Sequence, residues 1–126
     1  MGIDELLTHS RAGLHRLTPE QSAAAVDAGA VIVDTRPVDQ RRAQGVVPGA
    51  VVVGRNVLEW RADPSSGHSD PALTGARGEL IVMCAEGYSS SLAAATLVAI
   101  GVRATDMVGG FLAWRDAGLP VHPCPD

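Results

Sequence analysis

The sequence contains few aromatic residues and few cysteines. Its 126 residues include one Phe, one Tyr, two Trp and two Cys. Two cysteines are too few for a disulfide framework. With so few aromatic rings, aliphatic side chains must fill the core, which suits helices packed on a sheet. The composition, 46% hydrophobic and 19% charged, is that of a globular protein. We therefore expect residues 1–126 to form a single domain.

The sequence also lacks runs of like charge and long apolar stretches. Ten basic and fourteen acidic residues give a net charge of −4, which argues against a nucleic-acid-binding protein. The longest apolar stretch, Leu92 to Val102, is too short to span a bilayer. The N-terminal residues are acidic and amphipathic, unlike a secretory signal, and predict a helix over residues 2–12. We expect a cytoplasmic protein that binds neither nucleic acid nor membranes.

Short runs of β-branched residues predict strands at 30–34, 50–53 and 80–84, with a weaker candidate at 105–108. The three stronger runs are apolar on both faces, which is typical of a parallel sheet covered on both sides. Helix signals lie between them, and the segment 61–78 has the composition of a long surface loop. The alternation predicts an open α/β sheet with right-handed crossovers, in which ligands bind at the carboxyl ends of the strands. Three places qualify: residues 34–36, residues 54–56, and Cys84 with the loop that follows it.

Four segments carry the helix signals. Thr18 predicts an N-cap, followed by Pro19 at the first helical position and Gln21 at the third. In the helix over residues 90–100 we expect serines to cap the N-terminus, and we expect the helix to be largely buried because it is apolar nearly all round. The predicted helices cover residues 18–29, 37–44, 90–100 and 111–117.

Cys84 ends a predicted strand, and the loop after it leads directly into a helix. Free N–H groups at a helix N-terminus, and N–H groups of a curled loop, both favour a negative charge on the sulfur. They would lower the thiol pKa and favour the nucleophilic thiolate. Gly87 permits the positive φ of a tight loop, and Ser90 either caps the helix or donates to the sulfur. The alternative is that Cys84 is a small buried hydrophobe, but its place between a strand end and a helix favours the reactive interpretation.

Several motifs in order along the chain resemble those of the rhodanese-like domain family. Asp34-Thr35-Arg36 is similar to the family's Asp-x-Arg, and the segment 45–50 is similar to its Gly-His-Ile-Pro-Gly-Ala. Cys84 with its loop and helix matches the family's cysteine loop. The segment 109–114 matches Gly-Gly-x-x-Ala-Trp. The resemblance runs from about Leu17 to Val121, which leaves the predicted N-terminal helix and a short C-terminal tail as extensions.

The resemblance implies a single α/β domain with a mostly parallel sheet of about five strands and helices on both faces. It also implies a sulfurtransferase in which Cys84 takes a sulfane sulfur from a small donor such as thiosulfate. The persulfide then passes that sulfur to cyanide or a thiol, and the acceptor can belong to a protein partner. No metal or organic cofactor is implied. The active-site loop comprises Ala85, Glu86, Gly87, Tyr88, Ser89 and Ser90.

The loop departs from the family pattern in its charge. Many members have arginine where this chain has Ser89, and several have a basic residue where it has Ala85. Glu86 adds a carboxylate, which raises the thiol pKa and repels an anionic donor, so we expect weak activity with thiosulfate. We expect a cation elsewhere in the chain to compensate for this negative charge by contacting the donor. The candidates are Arg36, Arg55 and Arg61, with His68 as a further candidate. Arg36 has an alternative role, pairing with Asp34 or Asp39 to fix its loop.

Two other functions compete with sulfur transfer. A phosphatase of this fold needs cationic stabilisation of the phosphoryl group, and no arginine or lysine occurs between Cys84 and Arg103, so we expect no phosphatase activity. A non-catalytic binding or regulatory module remains open, since fold does not fix function. Cys124, between two prolines, is interpreted as an incidental thiol. The sequence has no clear exposed apolar stripe that would mark an interface, so it does not predict an oligomeric state.

Overall fold

The computed structural model describes residues 1–125, which form a parallel sheet with helices on both faces. The strands are β1 (Val31–Asp34), β2 (Val51–Val52), β3 (Leu80–Met83) and β4 (Ala104–Asp106). The helices are α1 (Ile3–Ala12), α2 (Pro19–Asp27), α3 (Val38–Gln44), α4 (Leu58–Ala62), α5 (Pro71–Thr74), α6 (Ser89–Ala99) and α7 (Gly110–Asp116). A 3-10 turn, Arg55–Val57, precedes α4. The predicted α/β class is confirmed.

The strand order is β2-β1-β3-β4, so β1 and β3 are the two central strands. They pair in parallel, with Val31 opposite Leu80 and Asp34 opposite Met83. The backbone N–H of Thr35 continues the ladder by donating to Met83 O at 3.0 Å. The residues that follow β1 and β3, including Cys84, therefore lie side by side at one edge of the sheet.

The sheet has four strands, not about five as expected. At the β4 edge, Leu17 forms a single parallel bridge to Met107. The Leu17 N–H donates to Asp106 O, and Leu17 O accepts from the Val108 N–H. Thr18 then caps α2 and Pro19 begins it. Because the helix starts two residues after Leu17, the fifth strand is reduced to one paired residue.

Alternate residues of the central strands enter two hydrophobic layers. Val33 and Val82 face one layer with α4, α5 and α6, and Leu14 packs against it. Ile32 and Ile81 face the other layer, which includes Phe111 and Trp114 of α7. This period of two is the geometry of a strand buried on both faces. Helices cover both faces of the sheet, as expected.

The capping box at Thr18 and Gln21 is confirmed, with each side chain bonded to the other residue's backbone N–H.

Two of the predicted elements differ from those observed. The segment 61–78 is not all loop: Asp70 caps the short helix α5, whose Leu73 is buried in the core. Helix α6 has no side-chain cap, so the expected serine cap is wrong. The helix was expected to be largely buried, but Val98 and Ile100 near its C-terminal end are exposed. Among residues 1–125, no helix combines the length and apolar character that a membrane crossing requires.

Candidate active site

Cys84 lies directly after β3 at the floor of a shallow cavity of about 350 Å³. The cysteine is 8% exposed, enough to border the cavity. One wall comes from the residues after β1 and the other from the loop after β3. The lining residues are Thr35, Arg36, Pro37, Gln40, Ala85, Glu86, Tyr88 and Ser89. Thr35 and Arg36 lie within residues 34–36, a strand end that the sequence selected, whereas Pro37 and Gln40, which follow it, were not predicted.

The N-terminus of α7 holds the first part of the Cys84 loop from behind. Phe111 N–H donates to Cys84 O at 2.9 Å, and Leu112 N–H donates to Ala85 O at 3.1 Å. This contact requires glycine at 110, because a Cβ there would lie 2.4 Å from Cys84 O. In a trans peptide the C=O and the following N–H point in opposite directions. The N–H groups of Ala85 and Glu86 therefore face away from α7.

The next part of the loop turns back on the sulfur. Gly87 has φ of +86°, the positive value that the sequence predicted. Its N–H donates to Cys84 Sγ at 3.2 Å. A Cβ at this position would lie 2.7 Å from Gly109 N, so glycine is required both by φ and by the close approach. The sulfur thus receives a backbone hydrogen bond from its own loop.

Opposing effects act on the pKa of the Cys84 thiol. Burial raises this pKa, but hydrogen bonds from the Ser90 and Ser89 hydroxyls and from the Ser90 and Gly87 N–H groups lower it by more. The pKa therefore lies below the ordinary value for cysteine. The Ser90 hydroxyl has a single hydrogen, which it directs to Asp106 Oδ2 at 2.8 Å. We therefore attribute the lowering chiefly to Ser89 and the backbone N–H groups.

A buried carboxylate anchors the first turn of α6. Asp106 is fully buried and accepts from the hydroxyls of Ser90 and Ser91, both at 2.8 Å. Arg16 pairs with the same carboxylate at 2.9 Å. This network explains why the serines do not cap α6. The sequence carried one signal for it, since Asp106 lies in a predicted strand and a carboxylate that becomes buried needs a partner.

Arg36 lines the cavity, but its side chain is fully buried and bound within the protein. Its Nε and Nη2 donate to the two carboxylate oxygens of Asp34 at 3.0 and 2.7 Å. It also donates to Gln44 and to Gly45 O, and its guanidinium stacks 4.0 Å from the centre of the Phe111 ring. The structure therefore supports its alternative role, in which Arg36 fixes the loop after β1 by pairing with Asp34.

The other predicted donor contacts do not line the cavity. Arg55 pairs with Glu59 at 2.9 Å, one helical turn away. Arg61 donates to the backbone carbonyl of His68. Arg55 follows β2, and β1 stands between β2 and β3 in the sheet. The strand order, which the sequence did not predict, thus places β1 between Arg55 and Cys84.

Two arginines that the sequence analysis missed do reach the Cys84 loop. Arg11 and Arg16 both donate to Gly87 O, at 2.7 and 2.9 Å. They precede Cys84 by about seventy residues, so only the tertiary fold brings them to it. Glu86 and Tyr88 are exposed at the cavity rim.

Cys124 borders a separate surface cleft with residues of α3 and the C-terminal segment. The lining of that cleft and the lining of the Cys84 cavity share no residue. Across residues 1–125, no three His, Cys, Asp or Glu side chains gather in a way that could hold a metal ion.

Comparison with known proteins supports the predicted family. The model of the rhodanese-like domain matches residues 18–117. The chain is 32% identical to a Rhodopseudomonas palustris protein of unknown function, described as a possible tyrosine phosphatase, over 97% of this chain and 95% of that one, with a TM-score of 0.87. It is 27% identical to a thiosulfate sulfurtransferase from Pseudomonas aeruginosa, over 95% of this chain but only 22% of that one, with a TM-score of 0.73.

A rhodanese homolog from Thermus thermophilus is also 27% identical, over 79% of this chain and 99% of that one, with a TM-score of 0.59. A comparison with curated proteins gives no match. The predicted resemblance, from about residue 17 to residue 121, is thus confirmed at the level of the family.

Proposed function

This chain belongs to the rhodanese-like domain family, and on that basis we propose that it is a sulfurtransferase whose Cys84 carries a sulfane sulfur as a persulfide. The observation that carries the proposal is the hydrogen bond of 3.2 Å from Gly87 N–H to Cys84 Sγ. The carbonyls of Cys84 and Ala85 are meanwhile bound to α7. A loop with its carbonyls directed outward and an N–H directed inward suits an anionic sulfur.

The reaction needs no oxidant or cofactor. The Cys84 thiolate attacks the outer sulfur of a donor such as thiosulfate, and the S–S bond of the donor breaks. Sulfite leaves with the bonding electron pair, and Cys84 becomes a persulfide. A thiolate or cyanide then attacks the terminal sulfur, and the Cys84 thiolate is released. The covalent intermediate gives ping-pong kinetics.

The charge around the cavity favours a donor other than thiosulfate. Arg36 is the one described cation among the lining residues, and its guanidinium is bound to Asp34. Glu86 adds a carboxylate at the rim. A dianion therefore meets repulsion and no free cation in the lining. We propose that the preferred donor is neutral or is a persulfide carried by a protein, and that Tyr88, which is 59% exposed, lies where such a partner would approach.

The relative described as a possible tyrosine phosphatase raises phosphoryl transfer as a second activity. Phosphoryl transfer needs positive groups on the transferred oxygens. The loop from Cys84 to the start of α6 at Ser89 contains no basic residue. The nearby Arg36 is held by Asp34. Both observations argue against a phosphatase. A non-catalytic binding module remains the alternative to sulfur transfer.

Intact mass spectrometry tests the proposal. After incubation with thiosulfate or a polysulfide and removal of excess donor, we expect wild-type protein to gain the mass of one sulfur atom. Cys84→Ser should gain none. Cys124→Ser, which keeps the proposed nucleophile, should load as wild type does and serves as the matched control.

The result also separates the two functions. An adduct that is lost on adding cyanide, with thiocyanate released, supports transfer. Absence of any adduct with either donor would leave the binding-module interpretation in place, and an adduct retained in Cys84→Ser would mean that the wrong cysteine has been identified.

A further inference from the structure

Two guanidinium groups converge on a single carbonyl of the Cys84 loop. Arg11 Nη2 lies 2.7 Å from Gly87 O, and Arg16 Nη2 lies 2.9 Å from the same atom. Both arginines precede residues 18–117, the part of the chain that matches the family model. We propose that Arg11 and Arg16 are positioning residues for Cys84, which fix its loop from behind, and that Arg11 also adds positive charge there.

The contact fixes the direction of a peptide group. Gly87 C=O and Tyr88 N–H belong to one trans peptide, so holding the carbonyl towards the arginines turns this N–H the opposite way. The carbonyls of Cys84 and Ala85 are held in the same manner by α7. Three carbonyls of the loop thus have fixed partners on its outer side. Charge-assisted bonds from arginine are the stronger kind of hydrogen bond, and two of them act on Gly87 O.

The two arginines contribute different charges. Arg16 is paired with Asp106, a fully buried carboxylate that also binds the serines of α6. Its positive charge is therefore largely compensated. Arg11 donates through Nε to Ser91 Oγ at 3.0 Å, and its guanidinium carbon lies 5.5 Å from the centre of the Tyr88 ring. These partners are neutral, so the charge of Arg11 acts on the loop.

Arg11 places a positive charge behind a loop whose own charged residue is Glu86. A positive charge nearby lowers the pKa of a thiol, and a negative charge raises it. The loop itself has no basic residue from Cys84 to Ser90. Helix α1, where Arg11 lies, thus supplies from elsewhere in the chain what the loop lacks. The inference rests on the proposed function only in taking Cys84 as the reactive thiol.

The pH dependence of alkylation by iodoacetamide tests the role of Arg11. All proteins carry Cys124→Ser, so that only Cys84 reacts. The reference protein should titrate below a free cysteine, as its lowered thiol pKa requires. In Arg11→Ala the midpoint should move up by about 0.5 to 1 pH unit, because a nearby positive charge is lost. Arg11→Lys keeps the charge but not the fork that reaches both Ser91 and Gly87, so its midpoint should lie between those two.

Arg103→Ala is the matched control, since it removes one exposed arginine and should leave the midpoint unchanged. Circular dichroism checks that each variant is folded; should Arg11→Ala not fold, Arg11→Lys carries the test. An unchanged midpoint in a folded Arg11 variant overturns the proposal, as does an equal shift in Arg103→Ala. Alkylation does not require a persulfide, so a failure of sulfur transfer would leave this result standing.

Discussion

At the scale of single residues, hydrogen bonds stabilise the thiolate form of Cys84, whereas the charge at the cavity rim repels other anions. Cys84 accepts a hydrogen bond from Gly87 N–H and has a pKa below the ordinary value for cysteine. Glu86 is exposed at the cavity rim, and the lining cation Arg36 is bound to Asp34. For the sulfur transfer that we propose, the first arrangement favours the nucleophile and the second disfavours an anionic donor. The proposed reactivity and the proposed donor preference therefore depend on different residues.

Removing the charge of Glu86 should increase turnover with thiosulfate. We expect Glu86→Gln to raise kcat/KM for thiosulfate about five- to thirtyfold, because a unit charge about 4 Å from a dianion contributes about 1 to 2 kcal/mol in water. Steady-state release of thiocyanate with cyanide as acceptor measures the effect. Glu20→Gln, an exposed carboxylate on α2, is the control for net charge. Equal gains in both variants would exclude a local role for Glu86.

At the scale of elements, the start of α7 and the Cys84 loop form one unit. Phe111 and Leu112 donate backbone N–H groups to loop carbonyls, and Gly110 allows the approach. Gly109 and Gly110 both have positive φ, 74° and 63°. The Gly-Gly-x-x-Ala-Trp motif therefore serves the site as well as the core, which receives Trp114.

Two alanine substitutions separate backbone strain from contact with the loop. Gly118 has φ of +76° and open space around a Cβ, so Gly118→Ala should cost about 1 kcal/mol in the free energy of unfolding. Gly110→Ala adds a clash with Cys84 O and should cost about 3 kcal/mol or more. Urea titrations followed by circular dichroism measure both. Equal costs would show that the loop accommodates the added methyl group.

At the scale of the whole molecule, one sheet serves two hydrophobic layers. Neighbouring residues of β1, such as Ile32 and Val33, face opposite layers, and so do Ile81 and Val82 of β3. Neither layer can lose its packing without exposing the strands that the other layer covers. The cores are therefore coupled through the backbone of the central strands.

This coupling predicts one cooperative unfolding transition. Trp114 is 4% exposed and lies in the layer with α7, so its fluorescence reports on that layer. Far-UV circular dichroism reports on helices of both faces. In a Trp60→Phe background, which removes the other tryptophan, both signals should share one urea midpoint. Separate midpoints would mean that the layers unfold independently.

Local patterns were sufficient to predict the family, the α/β class and the cysteine loop. Strand ends, the capping box at Thr18 and the glycine at 87 each depend on residues close in sequence. The donor contacts at Arg55 and Arg61 stay predictions that the structure does not support, because neither side chain lines the Cys84 cavity. Their placement depends on strand order, which puts β1 between β2 and β3. Hydrophobic periodicity does not encode that order.

Long-range polar contacts were beyond local patterns for the same reason. Arg11 and Arg16 reach Gly87 O across about seventy residues, and Ser90 binds Asp106 rather than capping its own helix. Asp106 binds Ser90 and Ser91 as well as Arg16, because a carboxylate buried in a low-dielectric interior needs several hydrogen-bond donors. The presence of Asp106 in a predicted strand was the one signal of this network that the sequence carried.

Because the chain is synthesised from its N-terminus, the contacts that hold the Cys84 loop form late. Cys84 leaves the ribosome before Asp106, Gly110 and Phe111, which later anchor α6 and the loop carbonyls. Until β4 and α7 have been made and folded, the loop lacks these anchors and Cys84 remains an ordinary thiol. The Cys84 site that we propose is thus assembled last, when the C-terminal third of the chain has folded against the loop.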